Sequence, residues 1–134
     1  VRLDPAGLPE SAEDFLAERH LATLTTLRGN GSPHVVPVGF TWDAPRRVVR
    51  IITGATSRKV AHVRAGGDRA RAVVCQVDGG RWLTLEGIAV VTDDPERVAD
   101  AVDRYRLRYR PPRPNPARVA IEITVDRILG SLPS

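Results

Sequence analysis

Lysine is almost absent from this chain: of its 20 basic side chains only Lys59 is one, and the rest are arginine. Cysteine is as scarce. Cys75 stands alone, which excludes an intramolecular disulfide and suits a reducing compartment, so a cytoplasmic protein is expected. In the apolar run Ala72-Val73-Val74-Cys75-Gln76-Val77, with no base near it in sequence, the thiol reads as a small buried hydrophobe rather than a nucleophile. Methionine is missing, and Phe, Trp and Tyr occur twice each, so a core must be built from Val, Ala, Leu and Ile. No apolar run approaches membrane-spanning length and no secretory signal precedes residue 20, so neither a membrane nor export is expected. The Gly-x-x-x-x-Gly-Lys of a P-loop is missing, which removes a nucleotide triphosphatase. His20, His34 and His62 lack metal-ligand spacing, so no metal is expected. Glu86 has no carboxylate partner in sequence, which leaves a paired-acid hydrolase without support.

What is present is a globular composition, 42% hydrophobic and 27% charged, that makes one domain over residues 1–134, with residues 1–10 expected to be loose. The net charge of +4 favours phosphates, polycarboxylates or nucleic acid as partners. Arginine excess alongside abundant Ala, Val and Pro also fits GC-rich coding, which makes many arginines surface filler. The most informative stretch is Thr53-Gly54-Ala55-Thr56-Ser57-Arg58-Lys59, directly after the β-branched Val48, Val49, Ile51 and Ile52. It reads as strand, turn and helix start, and it brings backbone N–H groups, hydroxyls and two cations to one point, which suits a phosphate. The plain alternative is a Thr-Ser cap followed by a solvated Arg-Lys face. Cations at a helix N-terminus oppose the helix dipole, however, and a bound anion removes that opposition.

Along the chain, Ser11-Ala12-Glu13-Asp14 opens a short helix carrying Phe15, Leu16 and Arg19. Strands are expected over His20–Arg28, Pro33–Thr41 and Arg47–Thr53, joined by Gly29-Asn30-Gly31 and Asp43-Ala44-Pro45-Arg46 as a three-strand meander. A helix follows from about Ser57 to Arg64, ended by Gly66 and Gly67. Arg71–Val77 and Arg81–Val91 form a strand pair across Asp78-Gly79-Gly80. Asp94-Pro95-Glu96 starts a helix whose Val98, Ala101, Val102, Tyr105 and Tyr109 share one face, the tyrosines being expected to point into the core. Arg110–Pro116 is a proline-rich connector, and Arg118–Val125 is the last strand. The fold class is therefore mainly β with a few helices: six strands in a closed or half-closed antiparallel barrel.

Several of these segments, taken together, resemble a known family. Ser57-Arg58-Lys59 after its strand, Gln76-Val77-Asp78-Gly79, Arg81-Trp82-Leu83-Thr84-Leu85-Glu86-Gly87, His20–Leu27, Ser32-Pro33-His34-Val35-Val36 and Arg113-Pro114-Asn115-Pro116 are similar to the pyridoxamine 5′-phosphate oxidase-like split β-barrel family, and within it to the F420-dependent, biliverdin-reducing subgroup. The resemblance spans nearly the whole chain. It implies a six-stranded split barrel that binds coenzyme F420, or alternatively FMN, at a homodimer interface. It implies that Ser57, Arg58 and Lys59 hold the cofactor phosphate, that Thr53 lies along the ribityl chain, and that Val36, Pro37 and Val38 edge the ring. Gln76, Val77, Asp78, Arg81 and Trp82 would add contacts, from across the dimer interface, while Arg113 and Asn115 are weaker candidates for the cofactor tail or substrate carboxylates. Gln76 as a strand-edge residue, Trp82 as packing and Arg113–Pro116 as a stiff turn are the plain alternatives. The C-terminal residues with which the family's oxidases hold substrate phosphate have no match, which argues against vitamin B6 oxidation.

A hydride-transfer enzyme leaves a faint catalytic signature, because the cofactor carries the chemistry and the protein orients it. The missing nucleophile and acid pair are compatible with that. The functions expected are thus an F420-dependent reductase acting on biliverdin or a similar planar conjugated substrate, an FMN-dependent oxidoreductase, or a non-catalytic flavin, haem or tetrapyrrole carrier. A nucleic-acid-binding barrel is disfavoured, because the arginines lack interleaved exposed aromatics.

Overall fold

Period-two alternation builds the sheet of this protein, a computed structural model of which describes residues 1–133. In β2 (Ala22–Leu27), Ala22, Leu24 and Thr26 are buried, while Thr23 and Leu27 are exposed. The same alternation runs through β6 (Arg71–Asp78) and β7 (Arg81–Thr92). The other strands are β1 (Arg2–Leu3), β3 (Pro33–Val38), β4 (Thr41–Asp43), β5 (Val48–Gly54) and β8 (Arg118–Ser131). Three helices, α1 (Glu10–Ala17), α2 (Arg58–Ala65) and α3 (Pro95–Arg108), pack on the sheet. The strand order is β3-β2-β6-β7-β8-β5-β4, antiparallel at each paired step, with β1 added to β8. Leu24, Val74, Leu85 and Ile128 lie in one register row across β2, β6, β7 and β8, and none is exposed. Phe15 and Leu16 of α1 and Val60 and Val63 of α2 join the same core. A sheet of this length rolls under its own twist, and its ends, β3 on one side and the β5–β4 pair on the other, come to face one another across a cleft lined from β3 and β5. That is a split barrel.

Where six strands are expected, the described residues form eight. The segment Pro33–Thr41 is broken at Gly39-Phe40. The Phe40 N–H donates to the Tyr109 hydroxyl (3.2 Å) and its carbonyl accepts from Arg108, so at this point α3 replaces a neighbouring strand. Beyond the break β4 pairs with β5, and the expected three-strand meander becomes two hairpin partners at opposite ends of the sheet. Residues 1–10 are not all loose: Arg2 and Leu3 pair with Leu129 and Ile128, because β8 runs six residues past its expected end at Val125 and offers them an edge. Within β7 and β8 the register shifts at Glu86/Gly87. A Cβ on Gly87 would stand 1.9 Å from the Thr124 carbonyl oxygen, so only glycine fits that bulge.

The helix ends differ in quality. Asp94 caps α3 through its carboxylate, which accepts from Arg97 N at 3.0 Å, with Pro95 in the first turn. Neither α1, which starts after Pro9 rather than at Ser11, nor α2 has a side-chain cap. Facing α3, the sheet carries a buried charge network. Asp43 accepts from Arg50 (2.7 Å) and lies 3.4 Å from Arg104, while Glu122 accepts from Arg97 and lies 3.4 Å from Arg50. Burial raises the Asp43 pKa, but the hydrogen bonds from Arg50 and the Arg46 backbone outweigh it and hold the carboxyl below its ordinary value. No helix among the described residues is long and apolar enough to cross a membrane.

Candidate active site

The cleft between the two sheet ends is built from backbone-rich strand termini on both sides. Pro37, Val38 and Gly39 supply one wall and Ile52, Thr53 and Gly54 the other. Lys59 enters from α2, Tyr105 from α3, and Pro112, Asn115 and Arg118 from the connector and the start of β8. The space is about 260 Å³, open and mostly polar. Five of the residues singled out from sequence thus meet here: Pro37, Val38, Thr53, Lys59 and Asn115. Val36, the residue before Pro37 in β3, is half-buried against the core.

The electrostatics of the cleft suit an anion. Helix α2 begins at Ser57 without a side-chain cap and without an acid in its first turn, so its leading N–H groups and its dipole are uncompensated. The Thr53 hydroxyl donates to that of Ser57 at 3.2 Å, placing two hydroxyls beside the helix start. Burial pushes the Lys59 ammonium below its ordinary pKa, and among the described residues neither Lys59 nor Arg118 has a carboxylate partner. Arg58 is exposed and does not line this cleft. Its charge instead acts on His62, whose pKa is lowered by burial first and then by His34, Arg28 and Arg58. Arg113 is exposed, away from the cleft lining, and its carbonyl accepts from Arg118. Asn115 spends its Oδ1 on Ala117 N at 2.9 Å, which sets the bend that brings it to the cleft.

Gln76, Val77, Asp78, Arg81 and Trp82 are not brought to the cleft of this protomer. Val38 pairs with Ala22, and Ala22 with Gln76, so the β6–β7 hairpin lies two strands, roughly 10 Å, from the cleft wall. Gln76 is 0% exposed, its Nε2 donating to the Phe15 carbonyl (2.8 Å) and its Oε1 accepting from Arg108. Here it satisfies the core, because a buried amide must keep both ends paired. Arg81 forks onto Glu18 (2.7 and 2.9 Å), also meets Asp78, and stacks over the Phe15 ring at 4.6 Å. The Arg81 bond, followed by one from His20, holds the Glu18 carboxyl at a pKa of about 2. Val77 is 61% exposed and Trp82 half-buried beside it.

Sequence reasoning missed Gly39, Tyr105, Tyr109 and Arg118. The tyrosines do not point into the core but are half-buried, with ring centroids 4.9 Å apart and their edges against Gly39. A Cβ on Gly39 would lie 3.0 Å from the Tyr105 ring and 3.1 Å from that of Tyr109. The Tyr109 hydroxyl donates to the His20 carbonyl at 2.7 Å, and burial raises its pKa, with Arg108 pulling the other way. Two tyrosines four residues apart in a chain so poor in aromatics were the available signal. Cys75, expected to be buried, is half-buried on the outer face of β6.

Comparison with known proteins gives one pattern. Residues 8–131 match the pyridoxamine 5′-phosphate oxidase family. The F420H(2)-dependent biliverdin reductase of Mycobacterium tuberculosis (strain CDC 1551 / Oshkosh) is 53% identical over 124 residues, 92% of this chain and 88% of that protein. Among solved structures, a conserved hypothetical protein from Mycobacterium tuberculosis superposes with a TM-score of 0.76 at 21% identity, over 92% of this chain and 84% of the other. An F420 reductase superposes with a TM-score of 0.70 at 24% identity, over 91% and 98%. These two structural likenesses concern the fold.

Proposed function

Since the chain belongs to the pyridoxamine 5′-phosphate oxidase family, we propose that it is an F420H2-dependent reductase, acting on biliverdin or a similar planar conjugated acceptor. The observation that carries this reading is the uncapped, cation-bearing start of α2 opening onto a polar cleft, combined with 53% identity to a reductase of that kind. Ser57, Thr53 and Lys59 fit a phosphate, since hydroxyls, free helix N–H groups and an unpaired ammonium converge there. Pro37 and Val38 edge the ring, and Arg118 suits an anionic tail. When bound, F420H2 supplies a hydride from ring carbon C5 of the deazaflavin. The chain's own part is to bind, to orient and to limit water. Among the described residues the lining holds no Asp, Glu or His, and the proton owed to a pyrrole nitrogen of the acceptor has solvent, the Tyr105 hydroxyl and the Lys59 ammonium as its sources in this open cleft.

The protein acts as a homodimer, a reading supported by an uncovered apolar face. Leu21 (64% exposed), Val35 (57%) and Val77 (61%) share the outer side of β3, β2 and β6 with Thr23, Pro37 and Cys75. A second copy would cover them and would bring a neighbouring Asp78, Arg81 and Trp82 towards the cleft. The lone cysteine fits a reducing cytoplasm, and nothing in the site calls for a nucleic acid or a membrane. FMN would use the same phosphate grip, but it has no tail to occupy Arg118.

The test is fluorescence titration with F420 and with FMN, followed by oxidation of F420H2 in the presence of biliverdin. Tight F420 binding with biliverdin-dependent oxidation is expected. Preference for FMN would turn the reading into a flavin oxidoreductase, and F420 binding without turnover would leave a carrier.

A further inference from the structure

A second group of cations meets away from the cleft, at the other end of α2. There Thr26 and Arg28 at the end of β2, His62 of α2, Arg69 of the turn that follows it and Arg71 of β6 line a hollow of about 230 Å³. A cavity of roughly 150 Å³ already takes a benzene ring, so this hollow has room for a ring and a charged group. Val63, Ala65 and Ala70 give it an apolar side. It shares no lining residue with the cleft that holds Lys59.

The charge in this hollow is one-sided. Among the described residues no carboxylate lines it. Arg71 is neutralised from outside by Asp126, whose two oxygens accept from its terminal nitrogens at 2.7 Å each. Arg28 spends Nη1 on the Pro33 carbonyl (2.5 Å) and, among the described residues, has no carboxylate partner. Arg69 is exposed, and among the described residues its side chain makes no hydrogen bond or ion pair. The negative end of the α2 dipole offsets only about half a charge, against two uncompensated guanidinium groups. His62 registers the surplus. Its Nδ1 is engaged by the Thr26 hydroxyl at 2.9 Å, which leaves Nε2 free, and His34 of β3 packs edge-on against it with ring centroids 4.8 Å apart. Burial lowers the His62 pKa first, and the charges of His34, Arg28 and Arg58 lower it further. An anion in the hollow reverses that field, because it neutralises Arg28 and Arg69 and accepts from a protonated Nε2.

We propose that this hollow is a second anion site, which takes a small organic phosphate: Arg28, Arg69 and His62 meet the phosphate, and its apolar body lies on Val63, Ala65 and Ala70. Three donors delivered by three separate segments suit the three oxygens of a tetrahedral group better than the two of a planar carboxylate. The assignment goes beyond the reductase reading and does not depend on it, since it uses none of the residues assigned to the cofactor.

The experiment titrates the full chain with phenyl phosphate at constant ionic strength and follows the His62 imidazole resonance, assigned by its loss in His62→Gln. Binding should move that resonance and raise the pH at which His62 titrates. The double variant Arg28→Gln/Arg69→Gln should bind phenyl phosphate about tenfold or more weakly, through loss of two charge-assisted hydrogen bonds. Arg69→Gln alone removes no contact within the protein, so a weaker response there is free of any folding defect. Lys59→Ala, which strips the cofactor cleft of its cation, should leave the His62 response as in wild type. Benzoate and inorganic phosphate, the one lacking the tetrahedral group and the other the apolar body, should both bind more weakly. A His62 resonance that phenyl phosphate does not move, or moves equally in wild type and the double variant, would overturn the site. Benzoate or inorganic phosphate binding as tightly as phenyl phosphate would overturn its assignment to an organic phosphate.

Discussion

At the scale of single residues, position decides which cation reaches the cleft. Lys59 and Arg58 are neighbours in sequence, and both suit a phosphate by type. Lys59 lines the cleft, while Arg58 faces outwards near His62. Lys59→Ala is therefore expected to weaken F420 binding by about 1–3 kcal/mol, and Arg58→Ala by well under that, in fluorescence titrations. Equal losses would mean that the helix start turns both cations to the anion. Thr53, Lys59 and Asn115 could be found from sequence because their chemistry is local to a turn. Gln76 could not, because its role depends on Phe15 and Arg108, 61 and 32 residues away.

At the scale of elements, α3 meets the sheet through charge as well as through an apolar face, in which Ala101 is buried and Val98 and Val102 are half-buried. Asp43 and Arg50 meet in the interior beneath it, with Arg104 and Asp100 reaching in from the helix. Removing one member of such a group leaves the other charged and dry. Asp43→Ala should lower stability by about 3–5 kcal/mol in urea denaturation. A loss below about 1 kcal/mol, as for an exposed pair, would show that water reaches Arg50. The periodicity of α3 was legible, and so was its Asp94 cap. Its tyrosines were misread as core because helical spacing shows a shared face, not what lies opposite that face. Here the opposite surface is Gly39 and a cleft.

At the scale of the whole molecule, two behaviours follow from how distant segments meet. Glu18 sits at a pKa of about 2 against its ordinary 4.5, held first by Arg81 and then by His20. A carboxylate depressed on folding contributes stability that is present above pH 4.5 and lost as pH falls towards 2. Glu18→Gln should therefore flatten the pH dependence of unfolding across that window, and it should do so less at high salt because the group is exposed. An unchanged slope would show that Arg81 holds nothing by Glu18. The second behaviour is association. Val35→Asp puts a charge on the outer apolar face, and if that face carries the proposed homodimer, sedimentation should find wild type as a dimer and the variant as a monomer. A variant that stays dimeric would move the interface elsewhere.

The sequence by itself determined which segments become most of the strands and helices, where hydroxyls and a cation gather at a helix start, and which family the chain belongs to. Those properties are written in side-chain period, in turn chemistry and in residues within a few positions of one another. Tertiary structure alone decided that the strand expected over Pro33–Thr41 breaks at Gly39-Phe40, that β1 finds an edge on β8, that Gln76 is interior, and that Tyr105 lines the cleft. Each of those depends on which partner a backbone or side-chain group meets once the sheet has rolled. A strand's own alternation is the same whatever lies across from it, so only the assembled barrel could choose the partner.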